Sequence, residues 1–134
     1  MYTSELRIRV RYSETDRMGY VYYGNYAQYF EVARVEALRN LGFSYRKIED
    51  EGIILPVLSY SVKHLKPAFY DDELLIKVTI KEIPMARIRF DYEVYNEKDE
   101  LINIADTTLV FISRETNKPC PGPQDFIDAL KKFF

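Results

Sequence analysis

The chain is poor in most of the residues that mark a specialised chemistry. Among 134 residues there is no Trp, one His and one Cys. Cys120, being alone, cannot close an intramolecular disulfide, which fits a reducing compartment. His64 lies in a strand-like segment with no second His or Cys nearby, so a metal site and a Ser-His-Asp triad both lack parts. Charge of one sign is missing too. Lys and Arg number 19 against 21 Asp and Glu, a net of −2, which predicts no general attraction to nucleic acid or to an anionic membrane. No apolar run approaches the ~20 residues of a membrane span, and the first residues lack the apolar core of a signal peptide. The expected location is the cytoplasm. There is no glycine-rich phosphate loop, no repeat, no linker and no low-complexity segment. A single domain over residues 1–134 is the expectation, large enough for a core without metals or disulfides.

The hydrophobic content of 47% and charged content of 30% are those of an ordinary globular protein. Twelve Tyr and eight Phe supply an excess of rings for a groove or a subunit interface.

The chain is organised around Tyr12 to Gly42, YSETDRMGYVYYGNYAQYFEVARVEALRNLG. Its first half is a polar loop carrying Asp16 and Gly19. Its second half is the one long helical pattern, with Tyr26, Phe30, Ala33, Ala37 and Leu41 at steps of three and four. Gln28, Glu31, Arg34, Glu36 and Arg39 fall mostly off that stripe. Asn25 and Gln28 have capping-box spacing, and Gly42 suits the position just past the helix end. A carboxylate delivered to a helix start, where N–H groups lack partners, suits acyl transfer through an oxyanion.

The remainder reads as strands. Leu6, Ile8, Val10 and Tyr12 alternate with charged residues, as on a strand with one wet face. Ser44 to Gly52 suggests a short helix or turn. Ile53 to Leu65 is a second strand, bent or bulged at Pro56. Leu74 to Ile80, Ala86 to Tyr95 and Leu101 to Ile112 follow, with a hairpin turn at Asn96 to Glu100. Pro119, Pro121 and Pro123 precede a terminal helix around Gln124 to Phe133. Short connections favour antiparallel pairing. The expected fold is α+β: a curved, mainly antiparallel five-stranded sheet wrapped around one long helix.

That order, with Thr15-Asp16, Gly19, Val21-Tyr22, Asn25-Tyr26, Phe30-Glu31, Ala33-Arg34, Lys66-Pro67-Ala68 and Tyr70-Asp71-Asp72, resembles the hotdog-fold acyl-CoA thioesterases. The resemblance is to the 4-hydroxybenzoyl-CoA thioesterase-like branch, which includes the bacterial Tol-Pal-associated enzyme, and it spans nearly the whole chain. It implies hydrolysis of acyl-CoA to free acid and CoA, no cofactor or metal, and a homo-oligomer, dimer or tetramer. It also implies that Asp16 is catalytic and that the Tyr23 amide, seven residues on, polarises the thioester carbonyl. Some relatives in the branch carry His at the position of Tyr23. Gly19, Tyr20, Tyr26, Phe30 and Pro56 are expected to contribute to substrate binding.

On residue chemistry alone, an ionised aspartate can attack the thioester carbon or activate water, and the sequence does not choose. Asp16 as a mere turn cap is the competing reading. Glu31 is expected to be a surface or subunit-contact residue pairing near Arg34, and Asp106 a hydrogen-bonded structural residue. Lys63, Lys66, Arg87 and Arg89 are candidates for the phosphates of CoA, although solvated strand faces are the commoner explanation. A hotdog dehydratase or hydratase, and a non-catalytic acyl-CoA sensor, are the rival functions.

Overall fold

A computed structural model describes residues 1–134. In chain order its elements are β1 (Tyr2–Arg9), α1 (Tyr26–Asn40), α2 (Tyr45–Asp50), β2 (Ile53–Ile54), β3 (Val57–His64), β4 (Glu73–Ile80), β5 (Arg87–Tyr95), β6 (Leu101–Val110), β7 (Ile112–Ser113), β8 (Lys118–Pro119) and α3 (Gln124–Lys131). Two single 3-10 turns, Tyr12–Glu14 and Tyr23–Asn25, lie between β1 and α1.

Five strands form one sheet in the order β1-β4-β5-β6-β3, every pair antiparallel. Period-two alternation puts one side chain in two on the face towards α1. Register then builds rows across the sheet. Ser4, Val78, Tyr92, Ala105 and Val62 form one, and the next runs Leu6, Ile76, Val94, Asn103 and His64. The buried members of these rows meet Tyr26, Tyr29, Phe30, Ala33, Ala37 and Leu38 of α1 in one continuous core. Each large side chain fully buried there contributes roughly 1.5–3 kcal/mol. The expected sheet wrapped around a helix is present.

Several boundaries and contacts differ from the expectation. The first strand spans Tyr2–Arg9 rather than running to Tyr12, because Val10 pairs its backbone with Asp71 and Asp72 and the chain then turns. Pro56 divides the expected long strand into β2 and β3. β2 joins β7 and β8 in a small second sheet that the sequence pattern did not suggest. Asn25 does not cap α1. It is itself helical (φ −73°, ψ −20°), since the 3-10 turn runs straight into the helix, and its side-chain amide donates to the Glu14 carbonyl at 2.8 Å. Gly42 does end α1, at φ +99°, a conformation that suits a residue without Cβ. Its N–H donates to Arg39 and that of Phe43 to Leu38, which satisfies two terminal carbonyls. Arg34 is only 8% exposed, against Tyr45 and Tyr92, and makes no ion pair with Glu31.

Candidate active site

The loop before α1 is built on Asp16. Its carboxylate Oδ1 accepts from Met18 N–H (2.9 Å) and Tyr20 N–H (3.2 Å), while its own N–H donates to the Tyr20 carbonyl and its carbonyl accepts from Gly19 N–H. Gly19 stands at φ +85°, so the tight turn that delivers these amides needs glycine. One carboxylate oxygen is thereby fixed by two backbone donors, and Oδ2 accepts no hydrogen bond.

A second acid anchors the loop. Glu14 is 8% exposed, and its Oε1 accepts from Arg11 N–H (2.8 Å) and from the Tyr29 hydroxyl of α1 (2.9 Å). Its carbonyl accepts Tyr22 N–H and the Asn25 amide. The loop and the helix are thus tied through one residue. Burial first, and then the hydrogen bond to Glu14, push the Tyr29 phenol upward.

Beside Asp16 lies an open cavity of about 270 Å³. Tyr20, Tyr23 and Tyr26 give it aromatic walls, and His64 and Lys66 complete it from the sheet side. Burial, with a smaller effect from Asp72, raises the Tyr26 phenol to about 12. Tyr23 opens the 3-10 turn that leads into α1, at a position where a turn leaves N–H groups without an internal partner. Lys66 is engaged by Glu100, whose carboxyl is held below its ordinary value by that hydrogen bond and by Asn96.

The structure therefore brings Asp16, Tyr20, Tyr23 and Tyr26 together, with Gly19 shaping the turn behind them. Phe30 and Pro56, expected in the acyl groove, are not on this cavity. Phe30 is fully buried in the core with its ring 4.5 Å from that of Tyr92, because its place on the helical stripe faces the sheet. Pro56 sits at the β2–β3 bend, where its carbonyl accepts Val110 N–H. Arg87 and Arg89 line a different cavity with Lys81, and Arg89 is paired with Asp91 and Asp106. Asp106 is placed at 3.5 Å from the Arg89 guanidinium as an ion-pair partner, away from the Asp16 cavity.

Two residues of the site escaped the sequence reading. His64 was set aside for want of partners, yet it lines the cavity with Asp16, its ring centroid 5.2 Å from that of Tyr26. Its shared parity with Tyr60 and Val62 was the available signal. Glu14 gave no signal, since an acid two residues before Asp16 looks like part of a polar loop.

A curved antiparallel sheet around a central helix, with a carboxylate loop and an aromatic cavity at the helix start, defines a hotdog thioester hydrolase. The chain belongs to the thioesterase-like superfamily, whose family model matches residues 10–130. It is 30% identical over 125 residues to the acyl-CoA thioester hydrolase YbgC of Escherichia coli, covering 93% of each chain. The crystal structure of a DHNA-CoA thioesterase from Staphylococcus aureus superposes with a TM-score of 0.93 at 39% identity, over 99% of this chain and 91% of that one. A 1,4-dihydroxy-2-naphthoyl-CoA thioesterase from Synechocystis gives 0.89 at 29% identity, over 96% of both chains.

Proposed function

We propose that the protein hydrolyses acyl-CoA thioesters to the free acid and CoA, and that aromatic acyl groups are its preferred substrates. The observation that carries this reading is the placement of the Asp16 carboxylate and the start of the Tyr23–Asn25 turn on one aromatic-walled cavity. The thioester carbonyl would lie with its oxygen on the Tyr23 N–H. Asp16 Oδ2 either adds to the carbonyl carbon, giving a mixed anhydride that water cleaves, or takes a proton from water as that water adds. Either route collapses with expulsion of the CoA thiolate, a leaving group stable enough to depart without a dedicated acid. The rings of Tyr20, Tyr23 and Tyr26 favour a flat acyl group, and two relatives named for naphthoyl-type thioesters support that choice.

The assembly belongs to the same proposal. β3 pairs only with β6, so its other edge is open, and Val57, Leu58 and Tyr60 are 49%, 52% and 41% exposed. A second copy pairing along this edge would cover them and close the adjoining cavity.

The test is release of free thiol from a panel of aryl and aliphatic acyl-CoAs. Asp16→Asn keeps size and turn hydrogen bonding but removes the anionic charge. Hydrolysis should fall by at least ~10²-fold while acyl-CoA binding survives. Near-normal turnover by folded Asp16→Asn protein would falsify the assignment.

A further inference from the structure

His64 stands at the free-edge end of the row Leu6, Ile76, Val94, Asn103 and His64, and so on the face of the sheet that meets α1. Its cross-strand neighbour Asn103 is fully buried in a row whose other three members, Leu6, Ile76 and Val94, are aliphatic. The Asn103 Nδ2 lies 3.0 Å from the imidazole Nδ1. With the Asn103 Nδ2 as the donor in this contact, Nδ1 accepts and the ring hydrogen sits on Nε2. The Asn103 Oδ1 has no partner among the protein's own groups. A buried amide with one oxygen unsatisfied is a poor choice for packing alone, because an aliphatic residue would fill the row without that penalty. The amide makes sense as the group that fixes the imidazole. Tyr26 bounds the ring on the helix side, which fixes it in a second direction. Among the side-chain nitrogens on the cavity wall, Lys66 is tied to Glu100, which leaves Nε2 of His64 as the unengaged donor.

We propose that His64, held by Asn103, determines specificity by donating its Nε2–H to a ring hydroxyl oxygen of a hydroxylated aromatic acyl group. This rests on the aryl-CoA thioesterase reading. In the proposed pose the acyl group's carbonyl oxygen is taken by the Tyr23 N–H, and a second oxygen on the ring meets the sheet side of the cavity at His64. Acyl groups without that oxygen leave the donor unpaired when they displace water, and a site built around a hydrogen bond rejects such analogues. His64 takes no part in bond making or breaking, so it is a specificity residue rather than a catalytic one.

The experiment compares two CoA thioesters that differ by one hydroxyl, 1-hydroxy-2-naphthoyl-CoA and 2-naphthoyl-CoA. The unmodified protein should favour the hydroxylated one by about 10-fold or more in kcat/KM. His64→Phe keeps a ring against Tyr26 but removes the donor. It should bring the ratio near unity, with the loss falling mainly on the hydroxylated thioester. Asn103→Leu, which frees the imidazole, should lower the ratio in the same direction. Equal loss on both thioesters in folded His64→Phe protein would mark a merely structural role and overturn the proposal, as would an unmodified protein that does not discriminate. If neither thioester is hydrolysed, the thioesterase reading fails on its own. His64 is then judged by calorimetric binding of 1-hydroxy-2-naphthoate and 2-naphthoate. A hydroxyl preference that His64→Phe abolishes supports the proposal, and equal affinities refute it.

Discussion

Glu14 and Tyr29 meet through a buried hydrogen bond of 2.9 Å that joins the Asp16 loop to α1. Tyr29→Phe leaves the carboxylate one donor short without changing the volume of the ring. The expected cost is about 1–3 kcal/mol, measured as a lower denaturant midpoint. Because the loop carries Asp16, kcat should fall more than KM rises. Tyr26 makes a separate prediction. Its folded value of about 12 exceeds the ordinary 10.0, so the folded state holds the phenol proton more tightly than the unfolded chain does. That contribution is complete below about pH 10 and is lost as pH rises towards 12. Tyr26→Phe should therefore flatten the alkaline fall in stability seen in pH-dependent melts. Legibility also differed from residue to residue. The place of Asp16 beside the cavity could be read because its loop, Gly19 and the helix start are contiguous. His64 was harder, because the groups it meets, Asp16, Tyr26 and Asn103, lie about forty residues or more away in sequence, and only its parity with Tyr60 and Val62 pointed towards the helix. Arg34 was misread for a related reason: its position borders the apolar stripe, and only the tyrosines of α2 and β5 draw it inward.

At the level of the elements, α1 illustrates how a terminus is decided by its surroundings. Both of its ends carried capping signals, and one held. Gly42 works locally, through its own backbone angle and two hydrogen bonds within the helix end. Asn25 was recruited instead by the carbonyl of Glu14, a contact that the loop conformation creates. Gly42→Ala forces a side chain into the left-handed region with nothing to relieve the strain. A loss of roughly 1–2 kcal/mol in unfolding free energy should follow, with the far-ultraviolet spectrum unchanged. β1, β4 and β5 were legible from alternation, and β3 and β6 from apolar runs bounded by turn residues, whereas β2, β7 and β8 were not. Two-residue strands contain no period to detect, and they pair only after Pro56 and the turn from Ser113 to Lys118 have been placed by the larger sheet.

For the whole molecule, the open edge of β3 is the deciding feature. Leu58→Lys places a charge in the exposed apolar strip and should shift the protein towards monomers of 15.9 kDa in sedimentation, with turnover falling alongside. Monomers of full activity in the unmodified protein would refute edge pairing. The sheet order β1-β4-β5-β6-β3 also bears on how the chain reaches this state. β4, β5 and β6 are successive hairpins, and their contacts close over short loops. β3 precedes all of them in the chain but can join only once β6 exists, across a separation that runs from His64 to Asn103 at its shortest. Loop closure makes the near pairs fast and this one slow. During synthesis the segment VLSYSVKH leaves the ribosome with no strand to receive it and must wait until β6 has emerged. Through that interval both of its edges are unsatisfied, so the strand that would join two finished subunits is also one that unfinished chains expose to each other.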